Sequence, residues 1–345
     1  MMAEVVLASP EECRPLFDLM AKVHAIAPWS WMDETQLFGV QDPETSEVGF
    51  VSVMGMAGEH YAIGVYQGAR GLYGFLHLQD IGPFLEPEDL LNTPQLQASF
   101  EDREMLEKHD RDLIKALGLK YRGKNAWPQF RSYRPGYAPW FVEPPEARFL
   151  AHALGQVLEV APRVQQNPDM LELDGDSDYL VRVADKTDTG LRWRDEIMAN
   201  EPPLPISLEM AVEPGLLEAV SQLPRVSNRV EADFFMLPTM VDNRTERPYF
   251  PYALLLVETT SGAVIGMELL SPSPSLEEMW AQVGVVTLRQ LRKVGILPAE
   301  IRVRDELLYG MLMPFSQSLG FKVKQVRRLP KLDPARASLE GYLGM

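Results

Sequence analysis

Between Glu231 and Glu340 the hydrophobic period changes in an order that restricts the fold more than any other feature of the chain. Strand-like runs at 232–237, 252–258 and 264–270 come first. A helical period over 276–294 stops at Gly295, a short strand follows at 300–303, and a second helix over 307–319 stops at Gly320. A strand at 322–328 and a short final helix close the series, and a helix at 213–222 precedes it. Thr260-Ser261-Gly262 joins two β-rich runs and predicts an antiparallel hairpin. Strand-helix-strand-helix-strand connections require crossovers, which place the later strands parallel. The expected product is one mixed sheet covered by helices, with the hairpin and the strand ending near Arg304 in the same sheet.

The chain has 345 residues, more than one hydrophobic core usually organises, so two domains are expected, 1–205 and 206–345. The run Glu201-Pro202-Pro203-Leu204-Pro205 breaks regular structure and supplies the boundary. No stretch approaches the roughly 18 uninterrupted apolar residues of a membrane span, and none of the first ten residues forms a basic leader. One cysteine, Cys13, excludes an internal disulfide. A cytoplasmic location and no membrane partner are expected.

The first domain reads as α+β with an antiparallel meander. Helical spacing covers 11–25, 105–117 and 146–160, and β-rich runs lie at 37–40, 48–54, 61–66 and 96–100. Three further short strands are expected at 170–173, 179–184 and 191–197. Gly55, Gly58, Gly64, Gly68 and Gly71 match no phosphate-loop spacing and read as turn and bulge positions. Asp174-Gly175-Asp176-Ser177-Asp178 has the alternating oxygens of a calcium loop, but Tyr179 stands where such a loop needs glycine, so a polar hairpin turn is expected. The five histidines, His24, His60, His77, His109 and His152, lack zinc-site spacing.

Net charge is -16, which excludes nonspecific coating of nucleic acid by the whole surface. The charge is uneven. No acid occurs between Asp112 and Glu143, while Lys115, Lys120, Arg122, Lys124, Arg131 and Arg134 fall inside that gap. Arg302, Arg304, Lys322, Lys324, Arg327, Arg328 and Lys331 form a second basic cluster. Within the first, Trp127, Arg131, Tyr133, Arg134, Tyr137 and Trp140 interleave cations with flat rings, the means of gripping a backbone and stacking bases. The same residues suit a protein interface or a sugar site, or a proline-stiffened connection with its aromatics in the core. The expected partner is a protein or a nucleic acid.

The element order over 231–340 resembles the ribonuclease H-like fold, which includes the transposase and integrase cores. That resemblance implies carboxylates on the first strand, after the fourth strand and on the last helix, converging on Mg²⁺. Asp233, with Glu231 on its face, Asp305 and Glu340 occupy those places, so a metal-dependent nuclease or strand-transfer enzyme is one implied function. Pro238 interrupts the first strand and Asp305 also stands where a helix N-cap belongs, so an inactive relic of that fold within a binding protein is the preferred expectation. Over most of its length the chain resembles an uncharacterised bacterial family that combines two domains of unknown function. The segments that carry this are Val51-Ser52-Val53-Met54-Gly55, Tyr66-Gln67-Gly68, the Trp127-to-Trp140 motif and Leu256-Val257-Glu258. Relatives sometimes add a cysteine-rich zinc tail of the SEC-C type; those cysteines do not occur before Met345, and the resemblance implies no activity.

Overall fold

Ser9 opens the first helix through a reciprocal cap: its hydroxyl accepts the Glu12 N–H at 3.3 Å, and the Glu12 carboxylate accepts the Ser9 N–H at 2.8 Å. The computed structural model describes residues 6–82, 87–173, 175, 177–204, 208, 212–213, 215–242 and 246–342. Described residues 6–135 and 139–204 form one compact unit, and 136–138 with those from 208 onward form the other. Both combine helices with sheets, so the fold class is α+β.

The first unit contains, in order, α1 (Pro10–Ile26), β1 (Phe38–Gln41), β2 (Val48–Met54), β3 (Tyr61–Gln67), α2 (Gly68–Ile81), α3 (Pro87–Leu91), β4 (Gln95–Glu101), α4 (Lys108–Ala116), β5 (Trp127–Tyr133), α5 (Pro144–Gln166), β6 (Asp178–Thr187) and β7 (Gly190–Ala199). Strands β1 to β5 form the expected antiparallel meander. The β6–β7 hairpin joins it with β6 parallel to β1, giving the order β5-β4-β3-β2-β1-β6-β7. The helical stripe expected on α5 is buried at Phe149, Leu150, Ala153 and Leu154 and half-buried at Leu158, and it shares a core with Leu16, Met20 and Val23 of α1.

Three readings of this unit are corrected. Gly68 and Gly71 lie in α2, not in turns between strands. A Cβ on Gly71 would stand 2.6 Å from the Tyr66 carbonyl carbon and 2.8 Å from the Pro94 oxygen, so glycine there lets a helix lie against strand backbone. Residues 168–171 form a 3-10 turn where a strand was expected, entered through Pro168, whose fixed φ suits a first helical position. The stretch read as an irregular connection contains β5, an edge strand that tolerates Pro128 because β4 alone pairs with it at that position. Of the acidic loop, Asp174 and Asp176 lie outside the described residues; the Asp178 N–H donates to the Gly175 carbonyl at 3.0 Å, a turn into β6.

The second unit contains α6 (Leu216–Ser221), β8 (Arg225–Met236), β9 (Tyr252–Glu258), β10 (Val264–Leu270), α7 (Leu276–Val294), β11 (Leu297–Val303), α8 (Glu306–Leu319), β12 (Lys322–Gln325) and α9 (Leu332–Tyr342). Its sheet runs β10-β9-β8-β11-β12, with β8, β9 and β10 antiparallel and β8, β11 and β12 parallel. The hairpin and the strand leading to Arg304 therefore share one mixed sheet. Glu258 shapes the hairpin turn: its carboxylate accepts the Thr260 N–H at 2.9 Å and the Ser261 N–H and hydroxyl, each at 2.7 Å. These bonds, those from Ser261 foremost, lower its carboxyl from 4.5 to about 2. On one sheet face α9 seals a small core in which Leu329 and Leu332 meet Phe235, Leu255 and Val257.

Candidate functional site

Strand alternation puts Arg229, Glu231, Asp233 and Phe235 on one face of β8. Register extends that face sideways. Arg229 pairs with Glu300 of β11, which pairs with Lys322 of β12; Glu231 pairs with Arg302, which pairs with Lys324. The face thus carries two rows of charge, Arg229–Glu300–Lys322 and Glu231–Arg302–Lys324, and the candidate catalytic carboxylates lie along its end.

Asp233 is buried, and its Oδ2 lies 2.7 Å from an Arg304 guanidinium nitrogen and 3.7 Å from one of Arg336. Arg336 packs 4.1 Å above the Phe235 ring and binds Glu340 at 2.8 Å, one turn along α9. Arg304 also meets Asp333 at 3.1 Å. Asp305 faces its own helix: its Oδ1 accepts the Leu308 N–H at 2.9 Å as the N-cap of α8. The Glu231 carboxylate is buried and accepts the N–H groups of Lys331 and Leu332, both at 2.8 Å, at the start of α9.

Asp233 and Glu340 are therefore linked through a shared arginine, and Asp305 is occupied as a cap. Among the described residues no group of three or more His, Cys, Asp or Glu side chains is placed to hold a metal ion. The carboxylates do not fit the Mg²⁺ arrangement that the ribonuclease H resemblance implies, because guanidinium groups hold Asp233 and Glu340 and a backbone N–H of its own helix holds Asp305.

The second basic cluster divides into paired and unpaired groups. Arg302 holds Glu300 at 2.7 Å, Arg229 approaches the same carboxylate at 3.6 Å, and together with Lys324 they keep the Glu300 carboxyl below its usual range, the Arg302 hydrogen bond contributing most. Lys322, Lys324, Arg327, Arg328 and Lys331 are exposed, and among the described residues none forms an ion pair. Arg229 escaped the sequence reading because β8 begins at Arg225, seven residues before the expected start at Ala232. The alternation of Arg229 with Glu231 and Asp233 was the signal that could have extended that strand.

The Arg/aromatic segment has a different fate: Arg131 is buried, and Trp127, Tyr133, Arg134, Tyr137 and Trp140 are half-buried. Arg131 is buried and forms a bidentate pair with Asp110 of α4 at 2.8 and 2.7 Å, with Glu107 at 3.2 Å and the Phe141 ring 4.7 Å away. Arg134 bridges Glu143 and Glu146 at 2.7 and 2.8 Å, and the Ser132 hydroxyl donates to Glu146 at 2.7 Å. Tyr133 donates to Gln97 on the neighbouring strand at 3.1 Å, and Trp127 packs on the core edge. Trp140 exchanges backbone bonds with Ser132 at 2.7 and 2.9 Å, and Tyr137, in the second unit, bridges Tyr249. The acids that neutralise these arginines come from α4 and the start of α5, outside the acid-free gap.

No described helix is long and apolar enough to cross a membrane. No curated protein matches the chain. Residues 14–182 match one domain of unknown function (DUF7309) and residues 216–340 a second (DUF6930), a two-domain arrangement that supports the expected uncharacterised family.

Proposed function

We propose that this chain is a binding protein whose second unit, built on a ribonuclease H-like sheet, holds a nucleic-acid backbone without cleaving it. The observation that carries the reading is the uncompensated charge on and beside β12. Lys322 and Lys324 stand one strand repeat apart on the side of the sheet that α9 leaves open at that edge, and Arg327, Arg328 and Lys331 follow in the loop. In a chain of net charge -16, exposed cations without carboxylate partners form a local electrostatic site that acidic surroundings confine. The order and directions of the five strands support the ribonuclease H-like assignment. The arginines on Asp233 and the capping bond of Asp305 argue against ion-dependent cleavage.

The test is titration of the full chain with fluorescent duplex and single-stranded oligonucleotides across a salt series. Affinity should fall steeply with salt, and Lys322→Glu/Lys324→Glu should reduce the log–log slope by about two on duplex, roughly 0.9 for each phosphate that is no longer neutralised. Added Mn²⁺ should leave the substrates intact. A salt slope unchanged in the double variant, or Mn²⁺-dependent cleavage abolished by Asp233→Asn, would refute the reading.

A further inference from the structure

We propose that the first unit carries a separate binding site for a nucleoside monophosphate, or a ligand of the same chemistry, in a cavity between α4 and the start of β5. The cavity is an open one of about 390 Å³, within the range of roughly 300–1,000 Å³ typical of small-molecule sites. That volume is far more than the ~30 Å³ share of a single water, and it admits a ring together with a phosphate. Its chemistry is one-sided. Arg103, Arg111, Lys115 and Lys120 line it together with Trp127, and Asp112 is the acid among its lining residues. Asp112 faces Lys108 at 2.6 Å, and hydrogen bonding to that lysine keeps its carboxyl below the usual range. Among the described residues Arg103, Lys115 and Lys120 form no ion pair, and Arg111 is steadied by donating to the Leu106 carbonyl.

Trp127 separates this cavity from a simple anion patch. The Arg103 guanidinium carbon stands 5.9 Å from the centre of the indole, so a cation and an aromatic face border the same space. Stacking on such a face contributes about 1–3 kcal/mol for a nucleobase. Lys120 also borders a second space of about 260 Å³ lined by His24, Tyr121 and Arg122, so positive charge continues beside the first. A ring against Trp127 beside Arg103 puts its phosphate toward the other two lining cations that form no ion pair among the described residues, Lys115 and Lys120.

Calorimetric titration of the full chain with AMP, adenosine and inorganic phosphate tests this directly. AMP should bind at least about tenfold more tightly than either fragment, because each fragment forfeits one half of the site. Lys115→Glu/Lys120→Glu, at exposed positions, should weaken AMP about tenfold or more with the melting temperature unchanged. Lys322→Glu/Lys324→Glu should leave AMP binding as it was, which keeps this site distinguishable from the oligonucleotide surface. Equal affinity for phosphate and AMP would reduce the cavity to a bare anion patch and overturn the proposal. So would equal affinity for adenosine and AMP, no detectable binding, or AMP binding indifferent to Lys115 and Lys120.

Discussion

Two cation-rich stretches, one around Arg131 and Arg134 and one around Lys322 and Arg328, look alike along the chain and end in opposite electrostatic states. Arg131 is buried against Asp110, and Arg134 is clamped by Glu143 and Glu146. Lys322, Lys324, Arg327 and Arg328 remain exposed without ion pairs among the described residues. The difference teaches that counting charge along a sequence does not locate a binding surface. What matters is which acids the neighbouring elements bring, and α4 and α5 with their N-cap residues bring four to the first stretch while Glu300 is already held by Arg302 beside the second.

The strongest way to break this contrast is Arg131→Met. It strands a buried Asp110 and should cost about 3–5 kcal/mol in urea unfolding, whereas Lys322→Glu/Lys324→Glu should stay within about 0.5 kcal/mol. Comparable losses at both places would mean that the two clusters do the same work. Next in size, Glu231→Ala removes the acceptor for two N–H groups at the start of α9 and should cost about 1–3 kcal/mol. Hydrogen exchange at Lys331 and Leu332 should quicken with it, and unchanged protection there would dissociate Glu231 from the docking of α9.

A smaller effect separates capping from catalysis at Asp305. Asp305→Ala should cost about 1 kcal/mol, while Asp305→Asn, whose amide oxygen caps as well, should stay near wild type in thermal melts. Equal losses in the two variants would require a role for the charge itself. The last prediction concerns pH. Because the folded carboxyl of Glu258 lies at about 2 against an ordinary 4.5, its contribution is fully present above about 4.5 and drains away as pH falls toward 2. Glu258→Gln should therefore flatten the acid limb of the stability profile; an identical acid limb in the variant would place the acid sensitivity elsewhere.

Much of the second unit was legible. The strands Tyr252–Glu258 and Val264–Leu270 and the helix Leu276–Val294 fall where periodicity and caps put them, because Ser275, Gly295 and Thr260-Ser261-Gly262 act on their immediate neighbours. Helix α2 was not legible, because its glycines weaken the local helix signal and answer to the close approach of Tyr66 and Pro94 backbone. Strand β5 was missed for a related reason: Pro128 is excluded from a central strand and allowed at an edge, and edge position is a property of the whole sheet.

By itself, then, the sequence determined the elements bounded by short-range signals, the mixed character of the second sheet and the uneven placement of charge, all set by interactions within a few residues. Tertiary structure alone decided which charges are neutralised. Asp110 reaches Arg131 across 21 residues, and Arg304 reaches Asp233 across 71. Ion pairing depends on separation in space and on desolvation, and both are set when strands take their register and helices settle on the sheet.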